Sequence, residues 1–461
     1  MVWDAEIESD VRLDMIRHAT RTIDFVTYAQ MPDNDVSQPF LSALREAANR
    51  GVHVRYLTND FQNSMVDMLG RSRRYLLHPP TIAPIEVLYF GGLSTPFGLI
   101  NYVHEKLLII DGQVAITSGR PIGAENLRWL DKSFLFKGGL VSQANEIYER
   151  LWDFCRAFNA PRGWTPAPGG TQSPIHPYQQ WVPGPRMQLD RDQQHEADEL
   201  KSWLRRPSQD SQDSQDLASS NSRARFLHHD LLQQLTMYNY PGSRDFRLEN
   251  IVDPVIESML TRLSNPEVRE VIIASMAVML HPRLKAKLIE VAGRRNPDGT
   301  RKAQVTFFTN SRQAVQWLVP LPANYDYALT DMRDLLRAGV HLAGFFTADP
   351  RSRTNVGRED YPSYLAAHRD LTYLHEKVAL IDDTIYIGSH NFNLPSSVHN
   401  DEATAEIQNA TWAARLRRNF YLEMNYHSIP ILLDDVENAL ENGGAGLAIS
   451  RWLGDLLLAL F

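Results

Sequence analysis

Apolar residues near the start of the chain recur at helical spacing, with Ile7, Val11, Met15, Ile16 and Ile23 predicting an amphipathic helix over residues 5 to 24. A strand-like DFVTYAQM follows. A helix through Phe40, Leu41, Leu44 and Ala47 comes next, then Gly51 and the strand VHVRYLTND. Two further strands, IEVLYF and a run ending in LLIID, lead to an amphipathic helix over 140 to 158 with Ile147, Leu151, Phe154 and Phe158 as its buried stripe. Helix and strand in alternation predict an α/β domain.

The pattern breaks at residues 160 to 222, where PRGWTPAPGG and WVPGP are rich in Pro and Gly and SQDSQDSQD has nothing apolar to bury. The reading is a partly disordered linker over 160–245, interrupted by a short helical piece, ADELKSWLRR. RFLHHDLLQQL within it looks amphipathic through Phe226, Leu227, Leu231 and Leu235, and its His228 and His229 would diverge on a helix rather than converge on a metal.

From residue 246 the rhythm restarts. VIIASMAV stands where DFVTYAQM stood, PRLKAKLIEVAGRR matches LSALREAANR, and AQVTFFTNS matches VHVRYLTND. The division predicted is residues 1–159, a linker over 160–245, and residues 246–461. The second copy adds the turn NPDGT and a polar loop over 346 to 370, a candidate lid or surface insertion.

Composition changes this picture little. At 461 residues, two domains are the default, and 43% hydrophobic with 22% charged residues is an ordinary globular balance. The single cysteine, Cys155, excludes an internal disulfide framework and a Cys-based zinc site. A net charge of −8 weighs against nucleic acid as a partner. Two basic clusters stand out locally, Arg71, Arg73 and Arg74, and Arg294, Arg295, Arg301 and Lys302. The first residues carry no secretory pattern, and no apolar window is long enough to span a bilayer. The last stretch, 445–461, is apolar apart from Arg451 and Asp455, and reads as either an interfacial membrane contact or a docked helix.

The chemistry lies in the duplicated segments. Each holds His-x-Lys-x4-Asp: His104, Lys106 and Asp111 in YVHEKLLIIDGQVAITSGRP, and His375, Lys377 and Asp382 in YLHEKVALIDDTIYIGSHNFN. One match fixes only three common residues; two, in copies sharing Tyr-x-His-Glu-Lys and an apolar run, establish an internal duplication. On a strand, His and Lys two apart share a face while Glu105 or Glu376 points the other way. Two such strands supply two imidazoles and two ammoniums. That set suits a phosphodiester: one His attacks phosphorus, the other protonates the leaving oxygen, and the lysines hold the phosphoryl oxygens without a metal.

With these residues the chain resembles the phospholipase D superfamily, the HKD enzymes. In the second copy Gly388, Ser389 and Asn391 match the family's Gly-Ser-x-Asn, and Glu402 follows in Asn400-Asp401-Glu402. In the first, Ser118 to Glu125 resembles the Gly-Gly-Arg-Asn-Ile-Gly-x-Glu of the cardiolipin synthase and bacterial phospholipase branch, with Pro121 in place of Asn. Five residues separate Asp382 from Gly388 where six separate Asp111 from Ser118, so one hairpin is a residue shorter. The resemblance implies two similar α/β/α sandwich halves related by a pseudo-twofold, with the active site between them and one chain sufficient for catalysis.

It further implies a phosphohistidine intermediate, no cofactor, and a phospholipid substrate met at a membrane surface. By family analogy His104 is the nucleophile and His375 the acid, with Lys106, Lys377 and Asn391 on the phosphoryl oxygens and Ser389 supporting the loop. Asp131 and Glu402, each 27 residues after a motif histidine, are expected to orient the histidine of their own copy; Glu125 competes in the first. Asp111 and Asp382 are expected to anchor neighbouring loops. Localisation is expected to be cytoplasmic or peripheral to a membrane, with secretion open. A nuclease of the same superfamily and a catalytically degenerate binding protein are the alternative readings.

Overall fold

The structure is a computed structural model describing residues 1–29, 36–59, 85–90, 102–159, 189–206, 223–230, 252–315, 321–346, 371–398, 400–444, 447–449 and 451. Its contacts divide the chain into two units. Unit 1 comprises Met1–Leu127 and Ser133–Ser214; unit 2 comprises Arg128–Lys132 and Gln215–Phe461.

Unit 1 begins with helix α1 (Ala5–His18), whose N-terminal amides are capped by the Asp4 carboxylate. Strand β1 (Thr22–Thr27), helix α2 (Ser37–Asn49), β2 (His53–Asn59) and β3 (Glu86–Phe90) follow, then β4 (Tyr102–Val103), β5 (Leu107–Ile110), β6 (Val114–Ser118) and β8 (Ser133–Lys137). Strand β7 (Trp129–Leu130) lies in the short segment assigned to unit 2. The sheet order is β3-β2-β1-β5-β6-β8, with β1, β2 and β3 parallel and the rest antiparallel. Ile7, Val11, Ile16, Phe25, Phe40, Leu44 and Tyr56 fill one core. Helix α3 (Gly139–Asn159) carries the buried Cys155 and Trp152.

Unit 2 repeats the plan. Helix α5 (Pro254–Leu263), capped by Asp253, precedes β10 (Glu270–Ser275), helix α6 (Pro282–Gly293), β11 (Gln304–Asn310), helix α7 (Leu321–Ala338) and β12 (His341–Phe345). Then come β13 (Tyr373–Leu374), β14 (Lys377–Ile381), β15 (Thr384–Gly388), β16 (Asn400–Gln408), helix α8 (Ala410–His427), β17 (Ser428–Pro430) and helix α9 (Leu433–Asn442). The strand order β12-β11-β10-β14-β15-β16 mirrors that of unit 1, with β17 outside β12 and β9 (Arg223–His229) paired to β16. The expected hairpin difference is present: Ile110 faces Val114 across three residues, whereas Ile381 faces Thr384 across two.

The short helical piece expected within the linker is helix α4 (Arg191–Arg205), started by an Asp190/Gln193 capping box and tied to Asp4 by Gln193 at 2.9 Å. Two expectations change. RFLHH is strand β9, because alternate side chains face Asp401 and the core around Asp253; the helical spacing of its apolar residues was misleading. The motif segment is not one strand: His104 and His375 sit at a break between a two-residue strand and the sheet strand that follows. The loop over 347–370, the cluster Arg71, Arg73 and Arg74, and most of 445–461 fall outside the described residues. Among the described residues no helix is long and apolar enough to cross a membrane.

Candidate active site

In each unit a strand-end asparagine fixes the motif. Asn59, the last residue of β2, donates to the Val103 carbonyl at 2.8 Å and accepts from the Val103 N–H at 2.9 Å. Asn310, the last residue of β11, makes the same two bonds to Leu374 at 2.8 and 2.9 Å. A side-chain amide thus does what a further backbone strand would do, and the following histidine inherits a fixed position. The sequence signal is the shared Thr-Asn, Thr58-Asn59 and Thr309-Asn310, at the ends of the matching segments VHVRYLTND and AQVTFFTNS.

In unit 1, His104 is largely buried with its ring edge-on to Tyr28 at 5.2 Å between centroids. The Lys106 ammonium donates to the His104 carbonyl at 2.6 Å and lies 5.3 Å from the Tyr28 ring centre. Burial pushes the Tyr28 phenol up to about 12, so it stays neutral. Ser118 accepts from the Arg120 N–H and from the Ser133 hydroxyl. The Arg120 guanidinium pairs with Glu8, which also binds Arg12 at 2.7 Å. Pro121 follows, and Glu125 starts a short 3-10 turn.

In unit 2, the Lys377 ammonium donates to the His375 carbonyl at 2.6 Å and lies 2.9 Å from the imidazole Nδ1. The Asp131 carboxylate meets the same Nδ1 at 2.8 Å. With Nδ1–H donated to Asp131, Nε2 is the ring nitrogen left to accept, and the Lys377 ammonium lies 3.2 Å from it. The expectation that Asp131 orients the histidine of its own copy is therefore corrected. Parallel pairing of β7 with β13 sets Trp129 beside Tyr373 and Leu130 beside Leu374, and the His375 N–H bonds the Leu130 carbonyl at 2.9 Å. The next residue, Asp131, then falls opposite His375. Spacing along the chain could not reveal this, because both histidines precede a carboxylate by the same count. The Trp129 ring lies 4.6 Å from that of His375.

Glu402 and Asp131 nonetheless occupy matching sheet positions, two residues before Thr404, which faces Gly388, and before Ser133, which faces Ser118. Glu402 accepts from the Asn400 amide at 3.0 Å. Gly388 lies so close to β16 that a Cβ there would sit 2.2 Å from the Ala403 carbonyl oxygen, which explains the glycine. Ser389 exchanges backbone and hydroxyl bonds with Ala403. Asn391 accepts on its carbonyl from Ser275 at 2.7 Å and donates its N–H to Ser396 at 3.1 Å, while its side-chain Oδ1 is buried with no bond among the described residues.

Asp111 and Asp382 close the hairpins, both at positive φ (55° and 50°). Asp111 accepts from the N–H groups of Thr20, Arg21 and Thr22 and from the Thr20 hydroxyl; Asp382 accepts from Arg269 and Glu270. Burial raises the Asp111 pKa, but these donors outweigh it and hold the carboxyl below the usual carboxylate range. The basic residues Arg294, Arg295, Arg301 and Lys302 are engaged locally, with backbone carbonyls, Glu290 and Glu267, rather than forming an open patch.

A family model described as "Cardiolipin synthase, PLD-like domain" matches residues 13–152 and 302–423. An uncharacterized protein of Helicobacter pylori is 33% identical over 159 residues, which is 32% of this chain and 32% of that protein. A cardiolipin synthase of Halalkalibacterium halodurans is 29% identical over 147 residues, 30% of this chain and 28% of the synthase. The similarity to these curated relatives therefore spans under a third of their length. The crystal structure of phosphatidylserine synthase from Haemophilus influenzae matches 100% of this chain and 94% of that one with a TM-score of 0.58 at 11% identity, a likeness of fold.

Proposed function

We propose, from the premise that this chain belongs to the PLD-like family of cardiolipin synthase, that it is a phospholipase D-like phosphodiesterase or phosphatidyltransferase acting on glycerophospholipids. The observation that carries the reading is the His375 imidazole with the Asp131 carboxylate on Nδ1 and the Lys377 ammonium 3.2 Å from Nε2. A carboxylate on Nδ1 frees Nε2 for proton transfer, and the ammonium supplies positive charge where a phosphoryl oxygen would sit.

In the proposed sequence, His104 attacks phosphorus, the P–O bond to the leaving alcohol breaks, and His375 gives that oxygen its proton. The phosphatidyl group is then carried on His104 as a phosphohistidine. His375 next takes a proton from water or an acceptor alcohol, whose oxygen displaces His104, releasing phosphatidate or a new phosphatidyl ester. Lys106, Lys377 and Asn391 hold the non-bridging oxygens, and Ser389 supports the Asn391 loop. Asp131 and Glu402 orient imidazoles. No step calls for a metal, and a lipid bilayer or micelle surface is the substrate's source.

The test is product analysis with mixed phospholipid vesicles and glycerol, with and without EDTA. Phosphatidate or an exchanged phosphatidyl ester is expected, unaffected by EDTA and reduced at least about 1,000-fold in both His104→Ala and His375→Ala. Cleavage of single-stranded DNA without lipid turnover would move the chain to the nucleases, and inertness toward both would overturn an enzymatic reading.

A further inference from the structure

A fully buried lysine stands next to the residue that holds His375. Lys132 is 1% exposed, and its ammonium pairs with Glu376 and, at 2.8 Å, with Glu423, both carboxylates being wholly buried. Its ammonium also lies 4.7 Å from the centre of the Phe420 ring. Burial would lower the Lys132 pKa, but the two carboxylates outweigh it and raise it, so the ammonium stays charged. Burial and then the Glu423 carboxylate push the Glu376 carboxyl up, against the pull of the Lys132 ammonium.

The arrangement is two residues against two. In extended backbone successive side chains point to opposite faces. Asp131 meets His375 on one face, and Lys132 meets Glu376 on the other. The β7–β13 pairing that brings these segments together has only two residue pairs, too short to define its own register. A slip of one residue would set Asp131 against Glu376 and Lys132 against Lys377 in one direction, or Lys132 against the His375 imidazole and Asp131 against the apolar Leu374 in the other, so either slip loses both attractions.

We propose that Lys132 is a positioning residue for His375: gripped by Glu376 and Glu423 on the face turned away from the reaction, it fixes the register in which Asp131 reaches the imidazole Nδ1. The proposal rests on the catalytic reading of His375 only for its kinetic arm. Nothing in the motif names Lys132; its partners lie 244 and 291 residues further along the chain.

Lys132→Met alone strands two buried carboxylates and would fold poorly, so the decisive variant is Lys132→Met/Glu376→Gln/Glu423→Gln in the full chain. Imidazole ¹⁵N spectra, with His375 identified by its loss in His375→Gln, report which ring nitrogen carries the proton. The triple variant is expected to melt near the wild-type temperature, lose the Nδ1–H preference of His375, and lose kcat by about 10- to 30-fold with KM within about twofold. Adding Asp131→Asn to it should cost no more than about twofold further, because both act through one contact. A folded triple variant that keeps the wild-type tautomer, or an Asp131→Asn effect that multiplies in full, overturns the proposal. If the wild-type chain turns over no phospholipid, the lipid reading falls, and the tautomer measurement still decides the role of Lys132.

Discussion

The two glycine-containing turns that follow the motifs sit on the same sheet register yet are held by different means. In unit 1 the turn is fixed through a side chain: Arg120 is bound to Glu8, which also pairs with Arg12. In unit 2 it is fixed through its backbone and one histidine. His390 meets Asp253 at 2.7 Å through Nε2 and accepts the Phe392 N–H on Nδ1, while Ser275 and Ser396 bond the Asn391 carbonyl and N–H. The first turn ends in a proline with no donor; the second ends in a buried amide whose oxygen has no bond among the described residues. A turn braced by its backbone leaves its side chain unused in bracing, which is why the proposed phosphoryl contact is assigned to the Asn391 side-chain amide N–H of the second turn.

That asymmetry can be broken in steps. Asn391→Ala should reduce kcat/KM by about 100-fold, the scale of losing one donor to a developing oxyanion, with melting temperature nearly unchanged. The strand-end clamps should behave as equals: Asn59→Ala and Asn310→Ala each strand buried backbone groups, costing about 1 to 3 kcal/mol by denaturant unfolding, and each should lower kcat about tenfold. Unequal losses would show that only one histidine depends on its clamp. At the hairpins, Asp111→Ala should cost about 2 kcal/mol and Asp382→Ala about 1, since the first carboxylate accepts from more donors. Pro121→Asn should change turnover by less than about threefold.

A pH series sharpens the same contrast on the side of unit 2. Glu376 binds its proton up to about 8 when folded and to 4.5 when unfolded. Over that window the folded chain holds more protons, so this group's contribution weakens as pH rises, the reverse of an ordinary paired carboxylate. The melting temperature of the wild type relative to Glu376→Gln should therefore decline from pH 5 to pH 8. His427 gives the opposite slope: burial pushes it down to about 4, so its contribution is lost as pH falls from 6.5 toward 4. A difference between wild type and His427→Gln that stays flat over that range would show the ring to be hydrated.

Much of this architecture was legible in the chain because the duplication made each copy a check on the other. The matched strands, the shorter second hairpin and the common position of Asp131 and Glu402 all follow from pattern and spacing. What escaped was long-range partnership. Asp131 pairs with a histidine 244 residues away because a two-residue strand docks beside it, and such a strand leaves no periodic trace. The strand around His228 and His229 was masked by apolar residues that also fit a helix. Lys132, Glu376 and Glu423 were hidden because a buried ion-pair trio is assembled from three separate segments.

The segment Arg128–Lys132 has a consequence for synthesis on the ribosome. At about 5 to 20 residues per second, the 244 residues between Asp131 and His375 take roughly 12 to 50 seconds to make. Throughout that interval a lysine and an aspartate destined for burial have no partners from the second copy, in a stretch that also holds Trp129 and Leu130, whose strand partners Tyr373 and Leu374 are not yet made. The nascent chain thus carries a waiting interval set by codon count, in which chaperone capture competes with premature pairing elsewhere.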